Sequence, residues 1–211
     1  MKKVFMLFLV LALVSCVSAA NLLRNGDFDY VTEYAHWNHS TWGSWYDYDL
    51  GDSTSIISFG YWGNLGIVQQ VGTAELGGPI TPITFAADTV YTLTVVGSDP
   101  SNGCNGVILK IGAGTYNMGQ SEAGAWTYQE KQSFTYPVVA EPGPWTSFSL
   151  TIDTADHVDW VGQNILVGVF ADNASGGNKW SWVDSVTLVP EPATMVILGL
   201  GALFGLRRRN E

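Results

Sequence analysis

Apolar and polar residues alternate along several short segments of this chain. In residues 147–152 every second residue is apolar, and the residues between them are serine or threonine. Residues 89–96 alternate in the same way. A period of two is typical of a β-strand with one buried and one wet face. Shorter runs rich in β-branched residues, at 65–71, 106–111 and 165–170, predict further strands.

Turn-forming residues separate these runs at short intervals. The clusters of Gly, Asn, Asp and Pro lie at 77–79, 99–100, 112–114, 141–144 and 173–178. No segment between the termini keeps a helical period of 3.6 residues. Short strands between regular turn signals favour an all-β fold. We therefore predict one domain, residues 21–189, folded as an antiparallel β-sandwich of the jelly-roll type.

The N-terminus has the pattern of a secretory signal peptide, residues 1–20. Lys2 and Lys3 precede the apolar run 4–14, and small residues at 18–20 offer a cleavage site after Ala20 or one residue earlier. A second interpretation is that residues 13–16 resemble a lipobox, in which Cys16 would be acylated. Ordinary cleavage leaves one cysteine in the mature chain, so we expect no intramolecular disulfide.

The C-terminus, residues 190–211, forms a separate segment. Pro190-Glu191-Pro192 is followed by the uncharged run 193–206 and by the cluster 207–209 of three arginines. Proline fixes φ and lacks an amide donor, so we expect the last strand to end before Pro190. The apolar run predicts a short transmembrane helix that is cytoplasmic at its arginine end. It is shorter than the roughly 20 residues of a full span.

The sequence VPEPATMVILGLGALFGLRRR resembles the PEP-CTERM sorting signal along its whole length. The resemblance implies processing by an exosortase, a membrane-embedded cysteine transpeptidase-like enzyme of bacteria that make extracellular polysaccharide. It also implies export to the cell envelope or extracellular surface, with a C-terminal membrane anchor that is transient or permanent. The residues that carry the motif are Pro190, Glu191, Pro192, Arg207, Arg208 and Arg209.

The charge of the predicted domain is strongly one-sided. Residues 21–189 contain four basic and seventeen acidic side chains, and four minus seventeen gives a net charge of −13. Such a domain repels nucleic acid and has no basic patch to bind it, so we exclude a nucleic-acid partner. The same acidity attracts divalent cations.

Both ends of the domain resemble jelly-roll carbohydrate-binding modules. The opening sequence NLLRNGDF at 21–28 and the closing sequence WSWVDSVTL at 180–188 carry the resemblance. It implies a structural Ca²⁺ with Asp27 and Asp184 as ligands and Asn25 as a less certain third. The residues themselves predict that Asp184 shares the core-facing side of its strand with Val186, where a carboxylate needs a partner. The alternative is that Asp184 caps a turn or accepts backbone amides.

Residues 30–62 are rich in aromatic side chains interleaved with Asn, Asp and His. Flat rings that stack on pyranoses, beside polar groups that bind hydroxyls, are typical of sugar recognition. We expect Gln69 and Gln70 on a neighbouring strand. The alternative is that these rings are buried in the core. The predicted ligand-binding residues are Trp37, Trp42, Trp45, Tyr46 and Trp62.

Catalytic interpretations find little support in the sequence. Gly51-Asp52-Ser53 resembles a hydrolase nucleophile block, but the Asp-x-x-His that it requires is missing. His36 and His39 lack a third metal ligand. We predict that the protein is not an enzyme and that it binds extracellular polysaccharide. The alternatives are a surface-coat or matrix protein without specific sugar binding and, third, a hydrolase on a sandwich scaffold.

Overall fold

The computed structural model describes residues 20–24, 38–39, 46–49, 55–60, 66–73, 80–99, 105–116, 124–137, 144–172 and 180–192. The strands in these ranges are β1 (Asn38–His39), β2 (Tyr46–Asp49), β3 (Ser55–Gly60), β4 (Gly66–Gln70), β5 (Gly72–Thr73), β6 (Thr81–Pro82), β7 (Thr89–Ser98), β8 (Gly106–Gly114), β9 (Trp126–Thr135), β10 (Thr146–Asp153), β11 (Ile165–Asp172) and β12 (Trp180–Pro192). A single turn of 3₁₀ helix, Val158–Trp160, precedes β11.

Ten of these strands form two five-stranded antiparallel sheets. Sheet A has the order β1-β4-β11-β8-β9, and sheet B has the order β10-β7-β12-β3-β2. Both sheets supply buried side chains to one core: Ile67, Leu109, Ile111 and Val167 from sheet A, and Leu93, Val95, Val186 and Leu188 from sheet B. The prediction of an all-β antiparallel fold is confirmed.

The outer face of sheet B is polar, as the alternation predicted. In β10, Leu150 and Ile152 are buried, whereas Ser149 and Thr151 are exposed. The Ser149 hydroxyl lies 2.8 Å from the Thr94 hydroxyl on β7. Hydroxyl pairs across neighbouring strands stabilise a sheet face that is in contact with water.

The last strand is longer than the sequence predicted. β12 continues through Pro192, with Pro190 opposite Tyr91 and Pro192 opposite Thr89 on β7. The expectation that the strand ends before Pro190 is therefore wrong. Proline is tolerated in a sheet where its missing N–H would face away from the neighbouring strand.

The backbone of Leu188 shows that this condition holds. Its N–H donates to the side chain of Asn21 and its C=O accepts from Leu22, so both groups point away from β7. In an antiparallel pair the direction of the backbone groups repeats every two residues. Pro190 and Pro192 therefore turn their nitrogens to the same outer edge, and no hydrogen bond to β7 is lost.

Several predictions concern residues outside the described ranges. They include the signal peptide up to residue 19, Cys16, and the predicted transmembrane helix, residues 193–206. Within the ranges that are described, no helix is both long and apolar enough to cross a membrane.

Candidate functional site

The first residues of the domain are fixed to the last strand by the side chain of Asn21. Its Oδ1 accepts hydrogen bonds from the N–H of Leu23 at 3.0 Å and of Leu188 at 2.9 Å. Its Nδ2 donates to the carbonyl of Val186 at 3.3 Å, and the N–H of Leu22 donates to the carbonyl of Leu188 at 2.9 Å. One planar amide thus pairs with the outer edge of β12 much as a strand would.

The same short segment continues to the other sheet. The side chain of Gln69 on β4 accepts from the N–H of Arg24 at 3.0 Å and donates to its C=O at 2.9 Å. Residues 21–24 therefore connect sheet B at β12 with sheet A at β4. We refer to these residues and Gln69 as the N-terminal clasp.

Arg24 is the unusual member of the clasp. Its Nε and Nη2 are buried and have no hydrogen-bond partner among the described residues. Burial lowers the pKa of the guanidinium from its ordinary value. These two nitrogens form the side of the guanidinium that binds a carboxylate in a bidentate manner.

The pairing of β12 with β7 is irregular at Asp184. Val183 is opposite Gly97 and Ser185 is opposite Val96, so Asp184 is the extra residue of a β-bulge. A bulge interrupts the alternation, and Asp184 is half-buried, whereas Val183 is fully buried. The period of two from which the orientation of Asp184 was predicted does not hold across the bulge, and its role as a ligand stays a prediction.

The calcium site stays a prediction. Asn25 and Asp27, the other expected ligands, lie outside the described residues. In the described part of the chain no three His, Cys, Asp or Glu side chains come together as metal ligands. In this part of the chain the amide of Asn21 joins residues 21–24 to β12, and the amide of Gln69 joins them to β4.

The aromatic-rich segment 30–62 contributes to both sheets. Its strand β1 pairs with β4 in sheet A, whereas β2 and β3 lie at the edge of sheet B. Trp37, Trp42, Trp45 and Trp62 lie outside the described residues. Tyr46 is described as part of the backbone of β2, in register with Ser58. The fold thus brings the segment to the edges of both sheets, and the roles of its rings stay predictions.

Gln69 and Gln70 do lie on the strand beside β1, but their side chains face opposite ways. Gln69 belongs to the clasp, whereas the Oε1 of Gln70 accepts from the N–H of Tyr116 at 3.0 Å. Both glutamines hold backbone segments in place.

The outer face of sheet A, on the side of Gln70, is apolar. Val68, Ile108 and Phe170 are buried there, with Tyr116 and Trp126 packed against them. The amine of Lys110 lies 4.2 Å from the centre of the Phe170 ring, a cation–π distance. The ring also fills space that a Cβ at Gly168 would need, since that atom would lie 2.6 Å from it.

The sequence analysis missed strand β9, which lies at the edge of sheet A opposite to β1. β9 pairs with β8 alone among the described strands, just as β10 pairs with β7 alone, so both are edge strands. Phe134 of β9 contacts Phe148 of β10, with ring centres 5.2 Å apart, which shows that the two edges lie on the same side. From Thr127 to Ser133 every residue of β9 is exposed.

An aromatic stack joins β9 to the 3₁₀ turn Val158–Trp160. The Tyr128 ring is nearly parallel to the ring of Trp160, at 15° and 6.5 Å between centres. The His157 ring stacks on Trp160 at 4.3 Å, and Phe85 contacts it at 5.4 Å. Trp160 is buried, whereas 40% of Tyr128 is exposed. This exposed ring therefore rests on a support that the core holds in place.

Comparison with known proteins identifies the C-terminal segment. Residues 188–209 match the PEP-CTERM protein-sorting motif. The sorting motif begins inside β12, and Pro190, Glu191 and Pro192 are paired with β7. Its arginines, Arg207 to Arg209, lie outside the described residues. No curated protein matches the sequence.

Solved structures resemble the fold. An arabinose-bound α-L-arabinofuranosidase aligns with a TM-score of 0.53 and 18% identity over 82% of this chain, and the alignment spans 26% of that enzyme. A carbohydrate-binding module in complex with β-1,4-galactotriose has a TM-score of 0.48 and 16% identity over 82% of this chain and 99% of its own. A cyclase from Fischerella sp. TAU has a TM-score of 0.48 and 13% identity over 82% and 98% of the two chains. At such identities the likeness concerns the fold alone.

Proposed function

We propose that this protein is exported, that an exosortase handles it through residues 188–209, and that its sandwich binds extracellular polysaccharide without catalysing a reaction. The observation that carries the proposal is the sorting motif at the end of the last strand. The motif indicates handling at the membrane, and the family it resembles belongs to bacteria that make extracellular polysaccharide.

The position of the motif has a consequence for the sandwich. β12 ends at Pro192, and the apolar run begins at Ala193, so no linker separates the sheet from the predicted membrane helix. While the tail is attached, the sandwich lies directly at the outward-facing surface of the membrane that holds the tail. The acidic domain is repelled by anionic headgroups there and leaves its far surfaces open to polymer outside the cell.

The proposed sugar site consists of the aromatic residues that flank β1, β2 and β3. In the sequence Trp37 directly precedes β1, Trp45 directly precedes β2, which begins at Tyr46, and Trp62 follows β3. Trp42 lies between β1 and β2. The strands β1 and β2, to which most of these residues are adjacent in the sequence, are edge strands of the two sheets.

Two experiments test the proposal. Mass spectrometry of the chain from cells with and without their exosortase measures processing of the tail, and an identical C-terminus in both would contradict handling by that enzyme.

Affinity electrophoresis of the full chain through polysaccharide gels measures binding. Retardation that Trp42→Ala or Trp45→Ala abolishes supports the site, with Trp145→Ala as the control. Unretarded migration of a folded sample in every gel would favour the surface-coat alternative.

A further inference from the structure

The side chains of Tyr128, Glu130 and Gln132 form an exposed row along the edge strand β9, which we call the β9 ledge. We propose that the β9 ledge is a second saccharide-binding surface, which takes a neutral polysaccharide chain. This inference rests on the proposed function, because it supplies an additional site for the same class of ligand.

The register of sheet A gives the direction of the three side chains. Tyr128 is opposite Ala113, Glu130 is opposite Ile111, and Gln132 is opposite Leu109. These three partners on β8 are fully buried residues of the core. Because side chains of paired residues lie on the same face of a sheet, the ledge faces inward, toward the side that sheet B covers elsewhere.

The described strands of sheet B do not extend over these residues. The next residue of the row, Phe134, packs against Phe148 of β10, whereas Glu130 and Gln132 are exposed. Sheet A therefore projects beyond the edge of sheet B along most of β9. The projecting part has an inward face that is accessible from the open side of the sandwich.

The aromatic stack gives this surface a rigid end. Tyr128 exposes 40% of its surface and stacks on Trp160, which is 3% exposed. His157 packs against Trp160 at 4.3 Å. A sugar ring that stacks on Tyr128 meets a platform that is already ordered, so little conformational entropy is lost on binding.

The remaining ledge residues supply hydrogen-bonding groups at regular spacing. Residues i and i+2 of a strand lie about 6.6–6.8 Å apart, so Glu130 and Gln132 continue the row from Tyr128 at the scale of a sugar unit. The carboxylate accepts hydrogen bonds, and the amide both donates and accepts them. No hydrogen bond within the described part of the chain occupies either side chain.

Charge selects among saccharides. Glu130 belongs to the ledge, and Asp156 and Asp159 flank His157 beside the aromatic stack. The whole chain carries a net charge of −10. These carboxylates repel uronate or sulfated polymers, which leaves neutral hexose or pentose polymers as the ligand class.

Affinity electrophoresis of the full chain tests the inference. A polyoxyethylene detergent keeps the tail in solution without offering glycosidic headgroups that compete for the site. Gels contain single neutral polysaccharides such as a glucan, a galactan or a xylan. For a gel that retards the wild type, we expect Tyr128→Ala to weaken binding about tenfold. Trp145→Ala is the matched control, since Trp145 is 42% exposed and lies just before β10.

Further variants separate binding from folding. Glu130→Gln and Gln132→Ala change exposed residues, so we expect unchanged thermal unfolding and binding that is weaker by several-fold. If Tyr128→Ala, Glu130→Gln and Gln132→Ala all bind as the wild type does, the inference is overturned while the proposed function stands. A wild-type chain that no gel retards overturns both. Self-association that disappears in Tyr128→Ala, without any effect of sugar, would show that the ledge binds a second copy of this chain instead.

Discussion

Replacing Asn21 by alanine tests the N-terminal clasp most directly, because one side chain makes three of its hydrogen bonds. The substitution removes the bonds to Leu23, Leu188 and Val186. A hydrogen bond contributes about 0.5–1.5 kcal/mol net, and the lower end applies because Asn21 is exposed. We therefore expect a loss of about 1–3 kcal/mol in the free energy of unfolding, with the larger value if Leu188 cannot reach water.

Thermal unfolding of the full chain, followed by circular dichroism, measures this loss. A domain of this size changes its Tm by about 2–4 °C for each kcal/mol, so Asn21→Ala lowers Tm by about 2–12 °C. Asn21→Asp keeps the acceptor of two bonds and loses the donor to Val186, so we expect a smaller decrease. Ser149→Ala, which removes one exposed hydroxyl contact, is the control and stays within about 0.5 kcal/mol. An Asn21→Ala protein that unfolds at the wild-type temperature would refute the clasp.

Three further predictions use the same measurement of Tm. Arg24→Met removes two buried guanidinium nitrogens that lack a partner among the described residues, and it raises Tm by about 2–4 °C; a decrease would mean that a carboxylate binds Arg24 in solution. If Asp184 binds calcium, EDTA lowers Tm of the wild type and leaves Asp184→Ala unchanged; equal responses would exclude that role. Burial raises the pKa of Tyr91, so the unfolded chain ionises first near pH 10 and stability is lost as pH rises above it. Tyr91→Phe reduces this alkaline loss, and an unchanged pH profile would contradict it.

The strands that the sequence predicted best are those with one covered face. β7 and β10 alternate because the core lies on one side of each and water on the other. β9 has the sequence WTYQEKQSFT, in which most positions are polar. No alternation develops there because sheet B leaves the inward face of the ledge uncovered. A strand that is exposed on both faces lacks the pattern by which sequence reasoning finds strands.

Two features of β12, the continuation through Pro190 and the bulge at Asp184, have local causes that the sequence does not reveal. Whether proline ends a strand depends on which edge its nitrogen faces, and at Pro190 that edge was identified only through the bonds of Leu188 to the clasp. The position of Asp184 was predicted from an unbroken period of two, which the bulge after Val183 interrupts. Both features depend on the partners of the strand rather than on its own residues.

The clasp also brings the two termini of the domain together. Asn21 is the first residue after the predicted signal-peptide cleavage site, and it binds Leu188, the first residue of the sorting motif. In the sequence the apolar run 4–14 precedes Asn21 and the run 193–206 follows the end of β12. The contact between Asn21 and Leu188 is compatible with the predicted export by a signal peptide followed by handling of the tail. The position of Asn21 in the clasp is also compatible with the lipobox alternative, because a lipid on Cys16 would be joined to the clasp by the four residues 17–20.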